Sequence, residues 1–135
     1  MEFEGICSVE KHSRFTRELK KLKKRFRTLE DDLDNFINTS VRAVHLYGTP
    51  PESLGHFEIQ GLYDETEGYF IAKKFTCKSL KGKGVRTGIR VVYHFEKQNL
   101  HLLLIELFHK QDKSTPDLDR IRALIENRLN IDMRK

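Results

Sequence analysis

Ile89-Arg90-Val91-Val92-Tyr93-His94-Phe95 is the stretch of sequence that decides the fold of this chain. It consists mainly of β-branched and aromatic residues, a composition that predicts a β-strand. A similar run covers residues 100–108, after a polar turn at residues 96–99, and another runs from Tyr69 towards Lys78. Strands separated by so little chain are expected to pair antiparallel.

Two amphipathic helices are predicted ahead of these strands. The first begins at Ser13, a candidate N-cap, and its apolar side chains recur at steps of three and four. These side chains are Phe15, Leu19, Leu22 and Phe26. Thr28 is the candidate N-cap of the second helix, which has acids in its first turn, where the helix dipole favours negative charge. Because the link between the two is very short, a helical hairpin is expected.

The rest of the chain is predicted to be a long loop and a final helix. Residues 47–68 are interpreted as loop and turn, because Gly48-Thr49-Pro50-Pro51 stops the second helix. Thr115-Pro116-Asp117 predicts a helix start, with an N-cap, a proline and an acid in order. The apolar face of that helix is Leu118, Ile121, Ile125 and Leu129. The expected fold is α+β, one domain over residues 1–135, with an N-terminal helical hairpin on a small antiparallel sheet and a C-terminal helix.

Charge and composition narrow the class of partner. The net charge is +5 and the pI is about 9.2, which favours an anionic partner such as nucleic acid, an acidic protein or a membrane surface. No apolar run approaches the ~18 residues that span a bilayer. Cys7 and Cys77 fit no metal-binding spacing and cannot form a disulfide framework. We therefore expect a cytoplasmic protein without a metal or cofactor.

A run of cations without acids leads into the strand that begins at Ile89. Seven Lys or Arg residues and no Asp or Glu occur between residues 73 and 90. These cations are Lys73, Lys74, Lys78, Lys81, Lys83, Arg86 and Arg90. They repel one another unless a polyanion is near, which indicates contact with phosphates, although a solvated face is the alternative. The cations of the first helix are interpreted either as a further nucleic-acid contact or as neutralised by the acids of the second helix.

The alternation of the strands predicts which side chains share a face. Ile89, Val91, Tyr93 and Phe95 are expected on one face, and Arg90, Val92 and His94 on the other. A two-residue turn at Lys97-Gln98 pairs His94 with His101 and brings His101 and His109 to the face of Arg90. A change of one residue in the loop moves both histidines to the opposite face. The helices are expected to cover the apolar face, and the other face is expected to carry the site.

Three segments resemble RelE/ParE-type toxins of bacterial toxin–antitoxin modules. Phe15-Thr16-Arg17-Glu18-Leu19-Lys20-Lys21-Leu22 is similar to their start. Residues 78–93, which end in Gly88-Ile89-Arg90-Val91-Val92-Tyr93, are similar to their central "G-x-R-x-x-Y" strand. Ile105-Glu106-Leu107-Phe108-His109-Lys110, followed by Asp112-Lys113, is similar to their last strand and the basic segment after it. The resemblance spans roughly residues 10–130 in the same order.

The resemblance implies a reaction and a set of partners. Many such toxins enter the ribosomal A site and cut mRNA without a metal. The 2′-hydroxyl attacks the adjacent phosphate and leaves a cyclic phosphate and a 5′-hydroxyl. This reaction needs proton removal, charge stabilisation on the phosphorane and protonation of the leaving oxygen. The implied partners are a cognate antitoxin, expected to be acidic, and mRNA with ribosomal RNA.

Site roles carry over position by position. Arg90 corresponds to the arginine of the "G-x-R" strand and is expected to clamp the phosphate in the transition state. Lys78, or else Lys81 or Lys83, is expected to act as general base or phosphate ligand. Lys110 is expected to steady the leaving group, with His109 as general acid. The residues expected to hold RNA backbone are Lys74, Lys81, Lys83, Arg86 and Lys113. Glu106 is expected to orient a cation of the site or to be merely a carboxylate at a strand end.

Two alternatives remain open at the level of the sequence. Several members carry a tyrosine shortly after the last strand, where this chain has Ser114-Thr115-Pro116 and no later tyrosine. That departure favours a catalytically silent member that binds RNA or protein. The ParE-like branch, which binds DNA gyrase and cuts nothing, is the other alternative. A Walker-type phosphate loop is excluded, because Gly82-Lys83-Gly84 precedes a strand and lacks the required Lys-Ser/Thr spacing.

Overall fold

The computed structural model describes residues 3–63, 67–77 and 87–133. Within these residues the chain forms a five-stranded sheet in the order β1-β5-β4-β3-β2. The strands are β1 (Ser8–Lys11), β2 (His56–Tyr63), β3 (Glu67–Ala72), β4 (Ile89–Glu96) and β5 (His101–His109). β1 pairs with β5 in parallel, and the other pairs are antiparallel. The antiparallel pairing of β3, β4 and β5 is confirmed.

Helices lie before and after the β2–β5 strands in the chain. They are α1 (Ser13–Leu22), α2 (Leu29–Phe36), α3 (Arg42–His45) and α4 (Leu118–Met133). A wider π-helical turn, Ile37–Val41, connects α2 to α3, so this second helical stretch runs on to His45. None of the helices in the described ranges is long and apolar enough to cross a membrane. Because the described residues form both helices and a five-stranded sheet, the mixed α+β class is confirmed.

The sheet separates two apolar clusters. On one face, α1 and α2 pack on alternate residues of β4 and β5, among them Val91, Tyr93 and Leu104. All four apolar residues predicted for the first helix are buried in this cluster. On the other face, α4 packs through Ile121, which contacts a smaller cluster containing Val92. The alternation predicted for β4 is confirmed, and the second face is partly covered by α4.

Two strands were missed by the sequence prediction. Residues 56–63 form β2 and β3 begins at Glu67, so the interpretation of residues 47–68 as loop and turn is wrong for residues 56–63 and 67–68. Gly55, with φ +77°, turns the chain immediately before β2 and begins its pairing with β3. β1 was also not predicted, and its parallel pairing with β5 makes the sheet mixed rather than purely antiparallel. Both strands lie at sheet edges, and among their side chains that the structure describes only His56 is buried, so neither strand has the long apolar run that marks β4 and β5.

The predicted register between β4 and β5 is wrong. Glu96 pairs with His101, and His94 pairs with Leu103, because the turn takes four residues, 97–100. His101 still shares the face of Arg90. His109 does not, because Val92 pairs with Glu106 while Tyr93 pairs with Leu104, which leaves Ile105 as an extra residue. This β-bulge reverses the alternation of β5, so His109 pairs with Ile89 on the opposite face.

The helix starts also differ from the predicted caps. His12, rather than Ser13, caps α1, and its Nδ1 accepts from the Arg14 amide at 3.1 Å. Thr28 precedes α2, but its hydroxyl donates to the Asp32 carboxylate at 2.7 Å instead of capping the helix. At α4, Asp117 accepts from the Arg120 amide at 3.1 Å, so the cap lies two residues after the predicted Thr115. The start of α4 is thereby displaced to Leu118.

Candidate nucleic-acid interface

The segment before Arg90 is held by a glycine that no other residue can replace without strain. Gly88 has φ +82°, and a Cβ there would lie 2.7 Å from Nε2 of His109. The Gly88 carbonyl accepts from the Lys110 amide at 2.8 Å, which extends the pairing of β4 and β5. The glycine of the "G-x-R" motif therefore lets the end of β5 approach closely and brings Lys110 beside the start of β4.

Thr87 ties the same segment to the chain that precedes it. Its hydroxyl donates to the Phe75 carbonyl at 2.6 Å and accepts from the Ile89 amide at 3.2 Å. Its own carbonyl accepts from Nε2 of His109 at 3.0 Å. These bonds are buried, so the start of β4 is fixed from three directions before Arg90 projects from it.

Arg90 lies on the second face of the sheet, at the start of β4. Its guanidinium donates through Nη1 to the carbonyl of Lys73 at 2.9 Å. This bond uses one of the five N–H donors of the guanidinium. No ion pair to Arg90 occurs among the described residues. The side chain is therefore oriented, and the remaining donors are available to an anion.

Three further cations lie at the same end of the sheet as Arg90. Lys73 continues β3 next to Arg90, Lys74 lies with its side chain against Gly55, and Lys110 follows β5. All three lysines are exposed. Within the described ranges, none of them pairs with a carboxylate. We call Lys73, Lys74, Arg90 and Lys110 the basic end of the sheet; it is a suitable surface for a phosphate chain.

Lys113 differs from these cations because it is already paired. Its ammonium forms a short ion pair with Glu106, whose carboxylate is buried. The same ammonium lies 5.1 Å from the ring centroid of Phe108, which pairs with Arg90 across the sheet. The other Glu106 oxygen accepts from the Asp117 amide at 2.7 Å, at the start of α4. Glu106 therefore orients Lys113 and fixes α4, and the charge of Lys113 is compensated.

His109 is placed as a structural residue. It is buried, its Nε2 donates to the Thr87 carbonyl, and its Nδ1 accepts from the Gln111 amide at 3.1 Å. Its ring also stacks on Phe26, with centroids 5.9 Å apart. Both nitrogens are therefore engaged with the backbone, on the face opposite Arg90. This geometry does not support the expected role of His109 as general acid.

Four predicted site residues, Lys78, Lys81, Lys83 and Arg86, lie outside the described residues, so their expected roles stay predictions. The described flanks are Cys77, which is buried, and Thr87. Within the described part of the chain, no group of His, Cys, Asp and Glu side chains could hold a metal ion.

The cations of α1 are neutralised only in part by the second helix. Lys23 pairs with Glu30 of α2 at 3.0 Å, and Arg14 lies 3.6 Å from Asp117 next to α4. Arg17, Lys20 and Lys24 are exposed and make no ion pair with another described residue. Mutual neutralisation thus accounts for one pair between these helices and leaves a basic outer face on α1.

A buried polar cluster lies under the sheet on the side of α2. The Tyr93 hydroxyl lies 2.8 Å from Nε2 of His45 and 2.6 Å from Nδ1 of His56. Nε2 of His56 is buried without a hydrogen-bond partner among the described residues. Burial, with smaller contributions from His56 and Lys97, lowers the pKa of His45 to about 3, and burial lowers the pKa of His56 to about 4. The cluster is therefore uncharged at neutral pH.

Sequence reasoning missed two residues at the basic end. Lys73 was counted in the cationic run but not assigned to the site, although it provides the carbonyl that orients Arg90. Phe57 was placed in a loop, but it lies in the edge strand β2 with 38% of its surface exposed. The ammonium of Lys73 lies 5.2 Å from its ring centroid. The signal that could have found Phe57 was the short alternation around it, between Gly55 and Gly61.

Comparison with known proteins does not assign a family. No protein-family model matches the chain, and no curated protein matches it. The crystal structure of an archaeal RelE-RelB complex from Pyrococcus horikoshii OT3 is similar, with a TM-score of 0.49 and 13% sequence identity. The alignment covers 82% of this chain and 97% of that chain. The function must therefore follow from the residues of this chain.

Proposed function

We propose that this protein is a RelE-type toxin, a cytoplasmic, metal-independent endoribonuclease that cleaves mRNA in the ribosomal A site. The observation that carries the proposal is Arg90, oriented by the Lys73 carbonyl at 2.9 Å, at an end of the sheet whose lysines have no carboxylate partner among the described residues. An oriented guanidinium in a basic surface is the group that stabilises a dianionic phosphorane. The sequence resemblance around Gly88-Ile89-Arg90 supports the same assignment.

The proposed reaction breaks one bond and forms one. The 2′-oxygen of a nucleotide attacks the adjacent phosphorus, and the bond from phosphorus to the 5′-oxygen breaks. Arg90 and Lys73 stabilise the negative charge that develops on the phosphoryl oxygens. Lys110, which is exposed and held beside Gly88, protonates the leaving 5′-oxygen. Lys78 takes the 2′ proton, an assignment that rests on the sequence resemblance alone.

The proposed partners follow from the charge of the basic end. mRNA and ribosomal RNA present rows of phosphates that four cations can contact. A cognate antitoxin would be acidic and would cover the same surface, because a free basic surface requires charge complementarity. Association with such an antitoxin is expected to slow as salt is added.

A catalytically silent RNA-binding protein is the second candidate. The engagement of both nitrogens of His109 with the backbone favours it, because the expected general acid is then lost. The absence of a tyrosine after β5 in the sequence favours it as well. In this case the basic end binds RNA with a steep dependence on salt, and the RNA stays intact.

Primer extension on a defined mRNA in a reconstituted translation reaction separates the candidates. Wild type is compared with Arg90→Ala and with Arg122→Ala, a matched control that removes an exposed arginine of α4. New 5′ ends within A-site codons are expected with wild type and the control, only when ribosomes are present. Circular dichroism confirms that each variant is folded.

The other outcomes assign other functions. If the mRNA stays intact but wild type binds RNA and Arg90→Ala does not, the protein is the catalytically silent RNA-binding protein. Intact mRNA and inhibition of gyrase in a supercoiling assay would indicate the ParE-like branch. Cleavage by Arg90→Ala at the wild-type rate would refute the role of the arginine.

A further inference from the structure

Phe57 is an exposed aromatic residue at the edge of the basic end. Its exposed fraction is 38%, and among the residues whose side-chain exposure the structure describes, the only other large hydrophobic residues so exposed are Tyr47 and Leu118. β2 is the last strand of the sheet formed by the described residues, and none of their other strands covers this side. Among the described residues, no other aromatic ring contacts that of Phe57.

The orientation of Phe57 follows from the strand register. Phe57 pairs with Ile71, which packs in the cluster on the second face of the sheet. Lys73 lies two residues after Ile71, directly beyond the end of β3, and therefore on the same face. Its ammonium lies 5.2 Å from the Phe57 ring centroid, and its carbonyl accepts from Arg90. Phe57, Lys73 and Arg90 thus form a continuous row across three neighbouring strands.

We propose that Phe57 is a stacking platform for an unpaired RNA base next to the phosphate held by Arg90. The inference rests on the proposed function, because it uses the same bound RNA strand. Neighbouring strands lie about 4.8 Å apart and Phe57 lies two residues along its strand from the level of Arg90, so the backbones of Arg90 and Phe57 are about 12 Å apart. Phosphates of one strand can lie over Arg90 and Lys73 while a flanking base reaches the ring.

The chemistry of the row suits a single strand rather than a duplex. Proteins that bind single-stranded nucleic acid combine cations along the backbone with aromatic rings on which bases stack. Every base has a π-face, so stacking on Phe57 tolerates different sequences. A duplex hides its base faces and would contact only the cations. Phe57 therefore positions a nucleotide beside the clamp without taking part in bond breaking.

The test is the affinity for a short unstructured RNA, labelled with a fluorophore and 2′-O-methylated so that it cannot be cleaved, at low salt. Phe57→Leu keeps an apolar side chain and removes the π-face, and its Kd is expected to rise about tenfold or more. Phe57→Tyr keeps the ring and is expected to restore binding. Tyr47→Leu is the matched control, because Tyr47 is an exposed aromatic residue after α3, and its Kd is expected to be unchanged.

RNAs with single abasic nucleotides locate the stacked base. One abasic position is expected to weaken binding by wild type about as much as Phe57→Leu does, and to have no further effect in that variant. Equal binding of all RNAs by wild type and Phe57→Leu, with weaker binding by Arg90→Ala, would overturn the stacking role and leave the proposed function intact. If Phe57→Leu weakens binding of an acidic protein partner instead of RNA, the ring is a protein contact and the proposal is wrong. No RNA binding by wild type at low salt would overturn the stacking role, whereas the proposed function is overturned only if mRNA stays intact in the presence of ribosomes.

Discussion

Acid is expected to unfold this protein through the cluster of His45, Tyr93 and His56. Both imidazoles contact the Tyr93 hydroxyl under the sheet, and burial holds their pKa values at about 3 and about 4. An unfolded chain exposes both imidazoles, and their pKa then returns to about 6.5. Between these values the unfolded state binds more protons than the folded state, so the free energy of unfolding falls as pH is lowered.

The size of the effect at pH 5 depends mainly on the unfolded state. At this pH both buried histidines are still neutral in the folded protein, while their unfolded counterparts are almost fully protonated. Each histidine then lowers the free energy of unfolding at pH 5 by about 2 kcal/mol relative to pH 7.5, and the two together lower it by about 4 kcal/mol. Domains of this size have a free energy of unfolding of about 5–15 kcal/mol, so the loss is a large fraction of the total. The free energy of unfolding has its full value above about pH 6.5. It decreases by this amount as pH falls towards the pKa values of the two histidines in the folded state.

Urea unfolding at pH 7.5 and pH 5.0 measures this loss. The chain contains no tryptophan, so circular dichroism is the suitable signal. The matched variant is His45→Gln with His56→Gln, which keeps polar side chains near Tyr93 but cannot take up a proton. Its difference in unfolding free energy between the two pH values is expected to be about 4 kcal/mol smaller than that of wild type. The same pH dependence in both proteins would refute the reasoning, and either single variant serves if the double variant does not fold.

Three further predictions test the packing around the site and the contact of Arg90 with phosphate. Arg120→Ala removes a buried guanidinium that binds a glutamate of α1 and a carbonyl of β5, and is expected to lower the free energy of unfolding by about 3 kcal/mol. Arg122→Ala, which removes an exposed ion pair, is expected to change it by less than about 0.5 kcal/mol in the same urea titration. Gly88→Ala is expected to lower the melting temperature more than Gly48→Ala, because both have positive φ but only Gly88 meets other atoms within 4 Å; equal effects would contradict the close approach at β5. Arg90→Ala is expected to make the slope of log Kobs for RNA against log salt shallower by about 0.7, and an unchanged slope would show that Arg90 does not contact phosphate.

The centre of the sheet could be predicted from the sequence because its strands carry strong signals. Successive side chains of β4 point to opposite faces of the sheet, and only four residues, 97–100, separate β4 from β5, so the faces and this pairing follow from local chain geometry. The bulge at Ile105 gives no such signal, because Leu104 and Ile105 are both apolar and either fits a buried position. One extra residue there was enough to place His109 on the wrong face.

The candidate site was predicted only in part for a related reason. Arg90 and Lys110 could be assigned because a motif and a charge pattern mark them. The contribution of Lys73 is a backbone carbonyl, which a side-chain pattern cannot indicate. Phe57 lies in an edge strand that follows Gly55 and contains Gly61, and glycines at such spacing are typical of loops in sequence. The assignment of the edge strands, and with them the extent of the site, required the three-dimensional structure.

The most direct test of the proposed reaction uses an mRNA that carries a single 2′-deoxynucleotide at the cleaved position. Ribosomes programmed with this mRNA and with its all-ribose counterpart are treated with wild type, and 5′ ends are mapped by primer extension. The 2′-oxygen is the proposed nucleophile, so only the all-ribose mRNA should be cut, and its upstream product should end in a cyclic phosphate. Equal cleavage of the two mRNAs would contradict attack by the 2′-hydroxyl and, with it, the function proposed for the basic end.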